Sequence, residues 1–223
     1  MILYMHPVSA TSRPVRLLIA EYDLPCEQVL VDLMTGAHLQ EPYASMNPNR
    51  LVPMLDDDGF TLTEASAILK YLADKFDLPV YPKPLQARAK VNEAMDWLNT
   101  QFYRDFGYGL VYPQLFPHHR RRSDEAQAGC LEWGAGRTQR WLKVLDEHWL
   151  GDKPWLCGDT ISLADYFGSG VVTLGDLIDL DWSDYPNIRR WMGSLRQLRS
   201  WSSVNEMFEG FAAGNRGKAF VHP

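Results

Sequence analysis

The stretch from Arg50 to Leu69, RLVPMLDDDGFTLTEASAIL, constrains this chain more than any other. Asp58-Gly59 lies between two apolar runs, and a two-residue hairpin turn needs the positive φ that glycine adopts without steric cost. Met54-Leu55 is therefore expected to pair with Phe60-Thr61-Leu62. Pro53 has no N–H to give to a ladder, so it belongs at a strand's first residue or on an edge, leaving the Val52 backbone unpaired and free to receive a ligand. Thr63-Glu64-Ala65-Ser66 then opens an apolar-periodic run through Ala67, Ile68, Tyr71 and Leu72, so the first amides of a helix point back towards that strand edge. Free N–H groups and the macrodipole at a helix start favour carboxylates.

The residues before this unit read as strand, helix, strand. Ile2-Leu3-Tyr4-Met5 suits a buried strand. His6 to Thr11 is a turn, and Ser12-Arg13-Pro14 opens a helix with Val15, Leu18, Ile19 and Tyr22 on one face. Leu24-Pro25 ends that helix and Glu27 to Asp32 is a second strand, an order that favours a parallel pair. A short helix is expected around His38 to Ala44, and a longer one from Ser66 to Phe76. The resulting βαβαββα order is that of a thioredoxin-like domain, although order alone leaves other folds open.

Pro79, Pro82 and Pro84 make a stiff linker of residues 78–86. Composition changes there, since all eight tryptophans lie from Trp97 onward. Helical patterns follow at 85–108, 123–149, 163–179, 186–199 and 202–211, so an all-α domain over 87–223 is expected to follow the α+β domain of 1–77. Ser162-Leu163-Ala164-Asp165 reads as a capping box with Ile161 and Tyr166 placed for a hydrophobic staple, which makes Asp165 structural. His118-His119-Arg120-Arg121-Arg122 reads as a solvated loop.

With 223 residues, each of two such domains can bury a core. Net charge is -6 with both signs interspersed, which argues against a nucleic-acid footprint. No apolar run approaches the ~18 residues a membrane span needs. MILYMHPVSA lacks the basic lead-in and apolar core of a signal peptide, so a cytoplasmic location is the expectation. Cys26, Cys130 and Cys157 show no metal-ligand spacing and read as inert thiols, and no metal is expected.

The V-P step, hairpin and T-E-A-S-A-I-L helix start resemble, in order, the glutathione site of the glutathione transferases. That resemblance, which extends over the linker and the Ser162–Asp165 box, implies that Pro53 is cis, that Val52 pairs with the cysteinyl backbone of glutathione, and that Glu64, Ala65 and Ser66 hold its γ-glutamyl end. The turn after the first strand matches theta- and zeta-class members without gaps and places their serine on Ser9. A thiol of reference pKa near 8.5 is mostly protonated at neutral pH, and a hydroxyl aimed at sulfur favours the thiolate nucleophile. By residue type alone, a plain capping role for Ser9, Thr11 and Ser12, with Ser12 best placed for the cap, stands about even with the thiolate-stabilising one; the ungapped match is what selects Ser9. Position 10 is alanine, so the cysteine of the omega and beta classes is missing here.

Thr35-Gly36-Ala37-His38 resembles a theta-class stretch whose histidine reaches the glycyl carboxylate. Trp97-Leu98-Asn99 resembles a beta-class stretch whose asparagine reaches glutathione across a dimer. Arg50, Leu51 and Ala65 depart from the family pattern, which has Gly, Lys or Gln, and Ser at these positions; Arg50 and the Ala65 and Ser66 amides are expected to compensate. Tyr103, Arg104, Phe106, Tyr108, Tyr112 and Phe116 form an aromatic run, half or more of it for the core and the rest for an apolar electrophile pocket. The expectation is a homodimeric glutathione transferase, with glutathione as co-substrate. The alternatives are a glutathione-dependent lyase or isomerase, and a non-catalytic glutathione-binding module.

Overall fold

The computed structural model describes Met1–Pro223. Strands β1 (Ile2–Met5), β2 (Glu27–Leu30), β3 (Met54–Asp57) and β4 (Phe60–Thr63) form one mixed sheet in the order β2-β1-β3-β4. The β1 and β2 strands are parallel, as a strand–helix–strand crossover requires, and the other neighbours are antiparallel. Leu3 and Leu55 face each other across β1 and β3 and are fully buried.

The hairpin turn is where the residue types place it, with φ of 53° at Asp58 and 90° at Gly59. Its register differs from the expectation. Leu55 pairs with Leu62, but Met54 pairs with Thr63, and Asp56 and Asp57 continue the strand opposite Thr61 and Phe60. A two-residue turn forces Asp57 against Phe60, so the strand runs through the aspartates despite their low strand propensity. Asp57 is tolerated there because Tyr71 and Lys75 of the following helix both donate to its carboxylate.

Helix α1 (Ser12–Glu21) buries Val15, Leu18 and Ile19, and α2 (Tyr43–Met46) follows a 3-10 turn at Ala37–Leu39. Helix α3 (Ala65–Lys75) packs Ile68, Leu69 and Leu72 into the same core. Helix α4 begins at Leu85, inside the linker expected at 78–86, and runs to Trp97. It does not stop at 108. The chain continues through widened π-type turns, Leu98–Val111, into α5 (Tyr112–Leu115), and only Pro117 ends the run by holding Phe116 extended at φ -115°, ψ 121°.

The remaining helices are α6 (Asp124–Val144), α7 (Leu163–Val172), α8 (Pro186–Leu195) and α9 (Trp201–Ala213). Gly134 lets α6 cross the π-type segment closely, since a Cβ there would lie 2.3 Å from the Gly109 carbonyl oxygen. At the start of α7, the Asp165 carboxylate accepts the Ser162 N–H and hydroxyl at 2.8 Å each, and the Leu156 N–H and Trp191 indole at 2.9 Å. Burial pushes this carboxyl up from its ordinary value, against those donors. Asp165 is therefore committed to the helical core.

Arg13 joins the two halves of the molecule. Only 2% exposed, its guanidinium donates to Asn205 Oδ1 of α9 at 2.9 Å, to the Gly170 carbonyl of α7 at 2.9 Å and to Thr173 Oγ1 at 3.0 Å, and it lies 3.5 Å over the Phe208 ring. Burial with no carboxylate in contact lowers its pKa to about 10. Gly170 itself has no room for a side chain, because a Cβ would meet the Ala10 carbonyl oxygen at 2.1 Å. The helical half is thus fixed directly against the turn that carries Ser9.

Candidate active site

The turn from β1 into α1 is organised by its own short side chains. Ser9 N–H donates to the His6 carbonyl at 3.0 Å, and Ser9 Oγ accepts the N–H groups of Thr11 at 3.3 Å and Ser12 at 3.2 Å. Ser9 Oγ thus satisfies the first amide of α1 from two residues before the N-cap position, which Thr11 occupies without a capping side chain. Ser12, the better-placed cap by sequence, is instead fully buried and accepts the His6 N–H at 3.4 Å. Capping does not exhaust Ser9. A hydroxyl has two acceptor positions and one proton, and two amides occupy the former. Thr11 Oγ1 lies 3.1 Å away and spends its own proton on the Val52 carbonyl at 2.9 Å, so in this structure it accepts the Ser9 proton.

The Val52–Pro53 bond is cis. The Val52 N–H has no partner in the protein, as expected from the proline beside it, but its carbonyl is not free because Thr11 reaches it. The loop before it is held by Tyr43 Oη and Asn47 Nδ2, which donate to the Leu51 carbonyl at 2.6 and 2.7 Å. These donors fix the backbone regardless of the Leu51 side chain, which is exposed. Arg50 adopts φ 54°, the left-handed region that favours glycine, and its exposed guanidinium is unpaired.

Ser9, Thr11, Arg50, Val52 and Pro53 line one cavity of about 470 Å³, within the range of small-molecule sites. His38, Glu64 and Ala65 line it as well. Gly36, at φ 76°, turns the chain into the segment that carries His38, whose Nδ1 is buried without a partner. Glu64 sits at φ 66°, ψ 113°, an uncommon conformation for a residue with a side chain, and the Ala65 and Ser66 N–H groups beyond it have no acceptor. Ser66 is the exception among the expected residues: its side chain does not line the cavity. One residue further along a helix turns a side chain by about 100°, which carries it off the face that Ala65 presents.

The opposite wall comes from the helical half. Asn99, Tyr103, Tyr108 and Tyr112 line the same cavity at steps of four, five and four residues, which the wider i→i+5 turns bring onto one face, and Arg104 lines it beside Tyr103. Phe106 points the other way and is fully buried in the core. Tyr103 and Tyr112 join hydroxyls at 2.8 Å, and burial pushes both phenols up from their ordinary range. Arg104 is held by the buried carboxylate of Asp105 at 2.7 Å, which also accepts from Arg137 at 3.0 Å and the Trp141 indole at 2.7 Å. Burial raises the Asp105 carboxyl, but the Arg104, Trp141 and Arg137 hydrogen bonds outweigh it and hold the group below its usual value.

Several residues beyond those expected from the sequence also line this cavity. Thr11, a capping residue by type, and His6, a turn residue by position, are both among them. His6 is buried, its Nδ1 accepts the Val8 N–H at 3.3 Å and its Nε2 lies 4.0 Å from Asp32; burial lowers its pKa against the pull of that carboxylate. The run 118–122 is exposed as expected except at His119, which is partly buried against Tyr108, Tyr112 and Phe116 with ring centroids 5.3 to 6.3 Å apart; His118, stacked on Phe116, lines the cavity from its exposed rim. The signal that finds them is Pro117, which breaks the helix and folds the next residues back over the aromatic face. Leu174 and Leu177 also contribute. No group of three His, Cys, Asp or Glu side chains is disposed to hold a metal, and the cysteines are free and partly buried.

Fold and site together define a thioredoxin-like sheet unit, with a cis-proline loop and a serine turn, facing a helical wall across one cavity. Comparison with known proteins extends this. The glutathione S-transferase N-terminal domain profile matches residues 1–74, and the C-terminal domain profile matches residues 114–198. Human glutathione S-transferase theta-1 is 37% identical over 165 residues, which are 73% of this chain and 68% of that protein. The human theta-2 structure, a complex with glutathione and an unknown ligand, superposes with a TM-score of 0.83 at 26% identity, covering 100% of this chain and 93% of that one. A delta-class enzyme of Nilaparvata lugens gives a TM-score of 0.78 at 30% identity, covering 95% and 96%. The chain belongs to the glutathione S-transferase family.

Proposed function

We propose that this glutathione transferase binds glutathione along the sheet side of the cavity and uses the Ser9 hydroxyl to stabilise the thiolate, which then attacks an electrophile held by the helical wall. The observation that carries this reading is the hydrogen-bond arrangement at Ser9: two amides fill its lone pairs and leave the proton as the group it can offer. In the resting turn that proton rests on Thr11; an arriving sulfur with negative charge is the better acceptor. Each pKa unit by which the thiol is lowered corresponds to about 1.4 kcal/mol.

The rest of the tripeptide has a partner at each end. The free Val52 N–H faces the cysteinyl carbonyl, and the Thr11-bonded Val52 carbonyl keeps a second lone pair for the cysteinyl N–H. The unpaired Nδ1 of His38 and the free Arg50 guanidinium suit the glycyl carboxylate. The Glu64 carboxylate and the Ala65 and Ser66 amides suit the charged γ-glutamyl end, so Ser66 acts through its backbone; Asn99 and Arg104 approach from the facing wall. Residues 1–77 are the thiol-binding domain in this reading, 78–86 the linker and 87–223 the electrophile-binding domain. The working form is taken to be a cytoplasmic homodimer, and no helix is long and apolar enough to cross a membrane.

A conjugation assay with glutathione and a chlorinated dinitrobenzene tests the reading. The expected result is turnover that falls roughly 100-fold in Ser9→Ala while glutathione binding by calorimetry is kept. An inactive parent that still binds glutathione points to the non-catalytic module.

A further inference from the structure

The turn between β1 and α1 holds a buried histidine that the thiolate step leaves without a role. His6 meets the rest of the turn through three of its own atoms. Its backbone N–H donates to Ser12 Oγ at 3.4 Å, and its carbonyl accepts the Ser9 N–H at 3.0 Å. The third contact is made by the ring, whose Nδ1 accepts the Val8 N–H at 3.3 Å. A side-chain acceptor on the amide two residues ahead is the geometry of an Asx-turn, made here by an imidazole where an Asn or Asp oxygen is usual. No backbone carbonyl accepts that amide, so the ring alone holds the Pro7–Val8 peptide, one residue before Ser9. An accepting nitrogen carries no hydrogen, and the neutral ring therefore keeps its proton on Nε2, 4.0 Å from the Asp32 carboxylate. That carboxylate accepts the Met34 and Thr35 N–H groups at 2.9 and 3.4 Å and braces the loop that leads to His38. Burial lowers the ring's pKa, Arg16 and His38 act in the same direction, and Asp32 opposes them.

We infer that His6 is a positioning residue for the thiolate step: its bare Nδ1 holds the turn in the shape that aims the Ser9 hydroxyl, and its Nε2–H faces the carboxylate that braces the His38 loop. This rests on the Ser9 reading above. Both lone pairs of Ser9 Oγ are taken by amides of the same turn, so the direction of its proton follows the backbone. A hydrogen bond weakens steeply as it bends below about 120°. A turn that loosens at Val8 therefore tilts the hydroxyl away from sulfur and leaves the thiol harder to ionise. Adding a proton to Nδ1 sets two N–H groups against each other at Val8 and has the same consequence. The nitrogen, and not the bulk of the ring, is what Ser9 depends on.

The test sets ring volume against the acceptor. His6→Phe keeps a ring and loses Nδ1, whereas His6→Asn loses the ring and offers the Val8 N–H an oxygen; His6→Leu, also without an acceptor, replaces His6→Phe if that variant does not fold. The thiol of bound glutathione is titrated by ultraviolet absorbance in both variants, the parent and Ser9→Ala. The expected result is a thiol pKa raised by about one unit in His6→Phe, with kcat/KM about 10-fold lower at pH below it, and recovery of most of both in His6→Asn. Nitrogen NMR of the parent is expected to show His6 protonated at Nε2 alone. A parent-like thiol pKa in His6→Phe overturns the inference, and so does an equal rise in His6→Asn, which would assign the effect to ring volume. A hydrogen found on Nδ1 at neutral pH overturns it as well. A thiol pKa that rises in Ser9→Ala but not in His6→Phe removes this inference and leaves the Ser9 reading standing; one that does not rise in Ser9→Ala removes both.

Discussion

The two walls of the cavity are built from different materials. The sheet side is a frame of backbone and short polar side chains tied to one another, Ser9 to two amides, Thr11 to Val52, Tyr43 and Asn47 to Leu51, which holds the groups left unpartnered, the Val52 N–H, His38 Nδ1 and the Ala65 and Ser66 amides, open to the cavity. The helical side is a stack of rings, Tyr108, Tyr112, Phe116, His118 and His119, joined mainly by packing. Hydrogen bonds are directional and fix a reacting group to a fraction of an ångström, whereas stacked rings accept many planar shapes. The first wall suits one invariant ligand and the second a variable one. The contrast predicts that polar substitutions on the sheet side change chemistry, while substitutions among the rings change selectivity.

The largest expected effect lies at the joint between the walls. Arg13→Ala removes the guanidinium that ties α1 to α7 and α9 and leaves the Gly170 carbonyl and Asn205 without their charged donor; a loss of about 3 kcal/mol or more in urea unfolding is expected. Gly170→Ala comes next. Its Cβ overlaps the Ala10 carbonyl, so about 1–3 kcal/mol of stability is lost, and the displaced turn lowers kcat with it. If stability falls while kcat holds, the two walls are less coupled than the packing indicates.

Thr11→Val tests the sheet-side lattice alone. It removes the donor to Val52 and the acceptor for Ser9 with little change of shape, and kcat/KM is expected to fall about 3- to 10-fold, the range of one hydrogen bond. The smallest effect is at His6. Its folded pKa lies below the ordinary value of 6.5, so the unfolded chain binds the proton more readily. Stability is therefore full above that value and falls as pH drops below it. Thermal scans between about pH 7 and pH 5 should show His6→Asn with a shallower slope than the parent, the difference staying under about 1 kcal/mol.

How much of this was legible in the sequence divides along the same line. The sheet side could be read because its signals are local. Asp58-Gly59 sets the turn, Pro53 marks the strand start, and Gly36 places His38, each by the φ its residue type allows or forbids. Arg50 is instructive here: its positive φ explains why a glycine is usual at that position in the family pattern, and the backbone shape persists without one. The Met54 register is not legible because two aspartates look like loop, although turn length outweighs propensity. The helical side was less readable. Widened turns alter the spacing that identifies a helix face, and His119 reaches the cavity only through a fold-back after Pro117 that its basic neighbours disguise as open loop.

The central claim is that Ser9 holds glutathione ionised. Titration of the bound thiol by its thiolate absorbance near 240 nm, in the parent and in Ser9→Ala, measures this directly. The account predicts an apparent pKa well under the reference value of about 8.5 in the parent and a rise of a unit or more in the variant. Equal thiol pKa values in the two proteins would contradict it.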